Sequence, residues 1–193
     1  MIITISGMPG SGKTTVAKVV AERLGYKHRS VGDLRGKIAE RHGMTIDELN
    51  MVGKTELWTD KEADDLTVEI GKTQDNFVFD AWVGFHFIPH SLKIFLDVDP
   101  MEGARRVFEH QRPDEAKQDT VEGVKEMLKH RVEVTNDRFK KYYGVDFMDK
   151  TNYDCLIDTT GLTLEEVVEK ILTFIKSQQQ ASEPGRPDPK PNL

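Results

Sequence analysis

Three observations in the sequence predict an α/β fold, a three-layer sandwich with a parallel sheet between two layers of helices. Short apolar segments alternate with helical ones along most of the chain. A glycine-rich loop joins the first strand to the first helix, and later strands such as Ile94-Phe95-Leu96 are apolar without alternation, as burial on both faces requires. The chain has 193 residues, 37% of them hydrophobic, enough for one core. Its 33 acidic and 27 basic residues give a net charge of -6, which weighs against an extended nucleic-acid surface. The single cysteine, Cys155, permits neither an internal disulfide nor a cysteine-based zinc site. With no apolar run of about 18 residues and no basic segment leading into an apolar one at the N-terminus, neither a membrane helix nor a secretory signal is predicted. A cytoplasmic, monomeric domain is the expectation.

The first strand is the β-branched run Ile2 to Ser6. Behind it comes Gly7-Met8-Pro9-Gly10-Ser11-Gly12-Lys13-Thr14-Thr15, a G-x-x-x-x-G-K-T sequence. Glycines let such a loop wrap with its N–H groups pointing inward, and the helix that follows directs its positive end at the same centre. A phosphate chain fits that geometry. Lys13 would reach the β- and γ-phosphates, the Thr14 hydroxyl would bind Mg²⁺, and Thr15 would lie near the α-phosphate. Val16, Val19, Val20 and Leu24 continue at helical spacing, so the loop stands between strand and helix, as a P-loop NTPase fold requires.

The remaining elements follow in alternation. Strands are predicted at Tyr26 to Val31, Asn76 to Asp80, Leu92 to Val98 and Cys155 to Asp158, which makes five with the first. Helices are predicted at Leu34 to His42, Ile46 to Met51, Lys61 to Gln74, Pro100 to Glu109, Thr120 to Tyr143 and Leu164 to Ile175. Asp60 suits the N-cap of the helix entered at Lys61, and Thr163 with Glu166 forms a capping-box pattern. Residues 177–193 are rich in Gln, Ser and Pro and lack apolar anchors, which predicts a disordered tail after a domain spanning 1–176.

A phosphate loop alone does not specify the acceptor. The helical insertion at 33–74 falls where an acceptor domain would cover the loop, and residues 105–138 carry Arg105, Arg106, Arg112, Arg131 and Arg138. Phosphoryl transfer needs positive charge closing over the transferred oxygens, and a folding lid of arginines supplies it. Arg131, Thr135 and Arg138 share one helix face. Ion pairs on a solvated helix are the alternative use of these arginines. Asp80, at the C-terminal end of its strand, is placed to hold Mg²⁺ in the manner of a Walker-B acid, with Asp97 and Asp99 as rivals. His86 and His90 flank Pro89, which argues against a helix showing both to one metal.

Residues 1–175 resemble the archaeal-type cytidylate kinases of the nucleoside-monophosphate kinase group. The stretch from Arg131 to Asp146, R-x-x-x-x-x-x-R-F-x-x-x-Y-G-V-D, and the run from Tyr153 to Leu162 carry the likeness. The resemblance implies ATP, Mg²⁺, a mobile lid and transfer of the γ-phosphate to CMP or dCMP. It also implies that Ser30, Gly32 and Asp33 border the acceptor pocket and that Asp60 and Asp64 match a D-x-x-x-D helix. Three positions depart from the family pattern. Gly36 stands where an arginine is usual, with Arg35 one place away and therefore turned by about 100°. Trp82 replaces a second arginine, and Thr135 an acid that would accept from an exocyclic amine. Trp82, Phe85, His86, Phe87 and His90 in the altered loop would build either a more aromatic acceptor pocket or core contacts that cover the sheet edge. Another nucleotide or metabolite as acceptor, and a nucleotide-binding module without strong catalysis, are the functional alternatives these departures raise.

Overall fold

A computed structural model describes residues 1–53, 55–110 and 117–181. The strands β1 (Ile2–Gly7), β2 (Lys27–Ser30), β3 (Phe77–Asp80), β4 (Leu92–Asp97) and β5 (Cys155–Asp158) form one parallel sheet in the order β2-β3-β1-β4-β5. Helices α1 (Lys13–Leu24), α2 (Val31–Arg41), α3 (Ile46–Val52), α4 (Trp58–Thr73), α5 (Gly84–Phe87), α6 (Pro100–Glu109), α7 (Val121–Tyr143) and α8 (Leu164–Ala181) cover it. The predicted α/β sandwich and its five strands are therefore present, with ends shifted by a residue or two.

Strand periodicity divides the core into two sides. Ile3 and Ile5 of β1, Val78 of β3 and Ile94 and Leu96 of β4 pack against α1 and α8 through Val16, Val20, Val168, Ile171 and Ile175. On the opposite face, Ile2, Phe77 and Phe79 meet Leu34 of α2, Ile70 of α4 and Ile88. Phe95 joins a cluster with Val132 and Phe139 of α7 and with Phe147 and Tyr153. Thr4 and Ser6 are fully buried on β1, and each is satisfied: Thr4 Oγ1 lies 2.9 Å from Ser91 Oγ, and Ser6 Oγ donates to the Ala81 carbonyl at 3.0 Å. Unpaired hydroxyls there would each cost about 1–3 kcal/mol.

Helix ends follow local chemistry. Gly25 and Gly144 close α1 and α7 in the left-handed conformation, and Thr120 opens α7 by accepting from the Gly123 N–H. The Thr163–Glu166 capping box forms as expected, with bonds in both directions. Two local expectations change. Asp60 is not a cap: α4 begins at Trp58, so Asp60 sits in its first turn with its carboxylate free to face other helices. Residues 177–181 are helical, because α8 continues five residues beyond the expected domain end. Its buried stripe ends at Ile175, and the glutamines that follow propagate a nucleated helix. The rest of the expected disordered tail lies outside the described residues.

Candidate functional site

Period two on β3 places Asp80 on the same side as Val78, toward α1, and the strand ends there. The first turn of α1 begins opposite it. Lys13 Nζ lies 2.6 Å from Asp80 Oδ1, and Thr14 Oγ1 donates to Asp80 Oδ2 at 2.5 Å. Asp97 and Asp99, the rivals expected for this position, are engaged elsewhere. Asp97 pairs with Lys150 at 2.9 Å, and Asp99 caps α6 by accepting from the Met101 and Glu102 N–H groups. Asp80 alone of the three lines the cleft described below.

The loop from Gly7 to Gly12 is made for close backbone approach. Gly10 and Gly12 have φ of +80 and +81, where a side chain is strained, and a Cβ on Gly10 would collide with the backbone of Gly103 in α6. Gly12 caps α1 without a side-chain hydrogen bond, so the first N–H groups of the helix are left for an external acceptor. Ser11 is 2% exposed, and among the described residues its Oγ has no hydrogen-bond partner. An uncapped helix start, an orphaned hydroxyl and a lysine at one point constitute a cradle for a polyphosphate. Thr14 and Asp80 are the oxygen donors beside it that suit a hard divalent cation. Among the described residues no group of three His, Cys, Asp or Glu side chains gathers at a metal-binding distance, so such an ion would need phosphate oxygens or water to complete its shell.

The loop opens into a cleft of about 770 Å³, within the range of small-molecule sites. Its far wall comes from α2, α4 and the segment after β3, and its other side from α6 and α7. Arg35 of α2 reaches this cleft, whereas Gly36 is not among its lining residues and a Cβ there would meet nothing within 4 Å. The displaced arginine thus faces inward. Asp60 joins the two sides: its Oδ1 is 2.9 Å from Arg35 Nη1, and its Oδ2 is 3.3 Å from Arg138 Nη1 on α7. One turn on, Asp64 accepts from the Tyr143 hydroxyl at 2.6 Å. Burial pushes the Asp64 carboxyl up to about 6, helped by Asp60 and Asp65 and opposed by the Tyr143 hydroxyl and Arg138. Tyr143 is pushed upward in turn, by burial and by the carboxylate it serves.

Aromatic rings surround this end. Trp82 packs on Phe147 at 4.8 Å and on Phe139 at 6.5 Å between centroids while lining the cleft, and Phe87 meets Tyr143 at 5.3 Å. Trp82 therefore serves both the core and the pocket wall. Phe85 belongs to the core alone, packed edge-to-face against Tyr153.

The structure brings most of the expected site residues together. Gly7, Met8, Pro9, Gly10, Gly12, Lys13, Thr14, Thr15, Ser30, Arg35, Asp60, Asp64, Asp80, Trp82, Arg106, Arg131, Thr135 and Arg138 all line one cleft. Four expectations need qualification. Ser11 is buried in the loop and is not among the cleft-lining residues. Asp33 is exposed in the first turn of α2 and does not line the cleft; its N–H donates to the Ser30 hydroxyl that caps the helix. Arg106 lines the cleft, but its guanidinium is bound to Glu102, to the carbonyls of Thr159 and Thr160, and at 3.4 Å to the Gly10 carbonyl. These bonds brace the phosphate loop against the β5–α8 turn. Arg112 lies outside the described residues. Arg105, by contrast with Arg106, pairs with Glu102 and Glu109 away from the cleft. Tyr143, Phe139 and Thr67 also line the site without having been assigned to it from sequence. Thr135, Phe139 and Tyr143 recur every four residues, a signal that the same face continues past Arg138.

Comparisons with known proteins bear on the family and the fold. A family model described as the cytidylate kinase-like family matches residues 2–161. The cytidylate kinase of Archaeoglobus fulgidus is 34% identical over 91% of this chain and 95% of its own length, and that of Halobacterium salinarum is 32% identical over 100% and 98%. An S-adenosylmethionine-dependent nucleotide dehydratase of Lacinutrix mariniflava is 34% identical over 93% of this chain, which spans only 37% of that longer protein. Among solved structures, an uncharacterised protein of Eubacterium ventriosum superposes with a TM-score of 0.70 at 18% identity, covering 92% of this chain and 99% of its own. The shikimate kinase of Bacteroides thetaiotaomicron follows at 0.62 and 16%, covering 91% and 98%. These likenesses concern the fold.

Proposed function

Because the chain belongs to the cytidylate kinase-like family, we propose that it transfers the γ-phosphoryl group of ATP to the phosphate of CMP or dCMP, giving ADP and the nucleoside diphosphate. The observation that carries this reading is the continuity of the cleft: the phosphate loop and the facing arginines Arg35, Arg131 and Arg138 line the same space. An oxygen of the acceptor phosphate forms the new bond to the γ-phosphorus, and the bond from that phosphorus to the β,γ-bridging oxygen breaks. The attacking oxygen is already anionic, so no side chain has to remove a proton. Catalysis then rests on alignment and charge neutralisation.

In this reading the N–H groups at the start of α1 and Lys13 hold the donor phosphates, and Lys13 exchanges Asp80 for the β- and γ-oxygens. Thr14 and Asp80 are the groups that would hold Mg²⁺, which when bound neutralises charge on the phosphates. Arg35 and Arg138 exchange Asp60 for the acceptor phosphate, so Asp60 holds the two guanidinium groups toward the cleft until that phosphate arrives. Arg131 adds charge from the same face of α7 as Thr135.

The aromatic wall at Trp82 and the uncharged Thr135 opposite favour a second reading, a phosphoryl acceptor other than a cytidine nucleotide. An acceptor panel decides between the two. ADP release is measured with CMP, dCMP, UMP, AMP, GMP and shikimate, each with ATP and Mg²⁺. Turnover stimulated chiefly by CMP or dCMP supports the first reading, and stimulation chiefly by another compound supports the second. ATP binding without stimulation by any of them counts against both.

A further inference from the structure

The acceptor end of the cleft has to read a base, and on its α7 side Thr135 presents an uncharged hydroxyl side chain. A carboxyl stands on the opposite wall. Asp64 lines the cleft one helical turn beyond Asp60, the residue that gathers Arg35 and Arg138. With the acceptor phosphate at those arginines, the nucleoside extends past Asp60 toward Asp64, Phe87, Phe139 and Tyr143, a polar group set among aromatic rings as a planar base requires. The Tyr143 hydroxyl fixes the carboxyl by donating to Oδ2 alone, which leaves Oδ1 without a hydrogen-bond partner among the described residues. Tyr143 is itself held by ring contacts with Phe87, His86 and Phe139. An oriented carboxylate with one open oxygen is an acceptor-only group and discriminates between bases by what they present.

Building on the acceptor reading above, we propose that Asp64, oriented by Tyr143, reads the 4-position of the pyrimidine, accepting a hydrogen bond from the exocyclic amine of cytosine and setting a preference for CMP over UMP. Uracil presents an oxygen at that position and would face the carboxylate acceptor to acceptor, leaving both unpaired in a partly dry pocket. Loss of a charge-assisted bond of this kind corresponds to roughly 10-fold to 100-fold in affinity.

The same residue makes the preference depend on pH. The groups facing Asp64 are Asp60 and Asp65 on its own helix and Tyr143 and Arg138 from α7; His86 of α5 touches the Tyr143 ring, and burial keeps its pKa low. The carboxyl is pushed up to about 6, chiefly by burial. Above that value it only accepts. Below it the protonated acid can donate to the uracil oxygen, so acidification erodes the preference.

Equilibrium binding of CMP and UMP to the full chain, measured by calorimetry from pH 5.5 to 8, tests this. The titration of the nucleotide phosphate is common to both ligands and cancels in the ratio of dissociation constants. The expected result is a ratio favouring CMP at pH 8 that falls about tenfold toward pH 5.5. Asp64→Asn, whose amide can both donate and accept, should bring the ratio near one at every pH while leaving ATP affinity unchanged. Tyr143→Phe removes the donor that favours the ionised carboxyl, so the midpoint of the transition should move to higher pH. A purely structural clasp would not shift a midpoint. An unchanged ratio and pH profile in folded Asp64→Asn, or an unmoved midpoint in Tyr143→Phe, overturns the assignment. Wild-type protein that binds both nucleotides equally at all pH values also overturns it but leaves the kinase reading standing. Protein that binds neither overturns both.

Discussion

The two ends of the cleft are built on different principles. The donor end is made of backbone: a contiguous loop from Gly7 to Thr15, held by positive φ at Gly10 and Gly12 and by close contact with Gly103. The acceptor end is made of side chains from distant segments, Arg35, Asp60, Asp64, Trp82, Arg138 and Tyr143, linked by ion pairs and a hydrogen bond across the space between α4 and α7. Backbone donors cannot be exchanged by mutation without moving the chain, so the first end suits a phosphate chain common to many reactions. Side chains can be replaced one at a time, which makes the second end the natural place for specificity to vary.

Substitutions at the two ends should separate them. Lys13→Met removes the charge that, in the proposed reaction, follows the transferred phosphoryl group, and kcat is expected to fall by about 1,000-fold or more, roughly 4 kcal/mol. CMP binding measured by calorimetry should survive it; concurrent loss of acceptor binding would show that the ends are not independent. Gly10→Ala attacks the donor end through its backbone. Left-handed strain and the collision with Gly103 should lower stability by about 2–3 kcal/mol, read from chemical denaturation, and weaken ATP binding. A fully stable Ala variant would mean that the loop relaxes more freely than its contacts indicate.

Smaller effects are expected at the acceptor end. Arg35→Ala and Arg138→Ala should each raise the KM for CMP by roughly 10-fold to 100-fold, about 1.5–3 kcal/mol, with the KM for ATP little changed. A rise in both constants would place these arginines over the donor phosphates instead. The smallest change serves as a reference remote from both ends. Thr163→Ala breaks the capping box of α8 and should cost about 1 kcal/mol in denaturation with neither KM altered.

Legibility of the site from sequence follows the same division. The donor cradle could be read directly because its residues are neighbours in the chain and their spacing is dictated by one ligand. On α7, Arg131, Thr135 and Arg138 were legible as one face from helical spacing. Arg106 was legible as a cleft residue but not in its role, because carbonyls of Gly10, Thr159 and Thr160 that occupy its guanidinium come from other segments. Asp60 read as a helix cap because the local pattern suits one, and only the positions of Arg35 and Arg138 show what its carboxylate faces. Tyr143 has no function legible from its motif, since its partner Asp64 is 79 residues away.

By itself the sequence determined the α/β class, the five strands, the phosphate loop and the capping of α8. Each depends on interactions between residues a few positions apart, whose geometry the periodicities of helix and strand fix in advance. Only the tertiary structure decided which of Asp80, Asp97 and Asp99 faces Lys13, that Arg35 turns into the cleft despite its one-place shift, and that Tyr143 clasps Asp64. Those outcomes depend on strand order and on the packing of α2, α4 and α7 around a shared space. Such placement is settled by burial of the two core faces and leaves no local pattern in the chain.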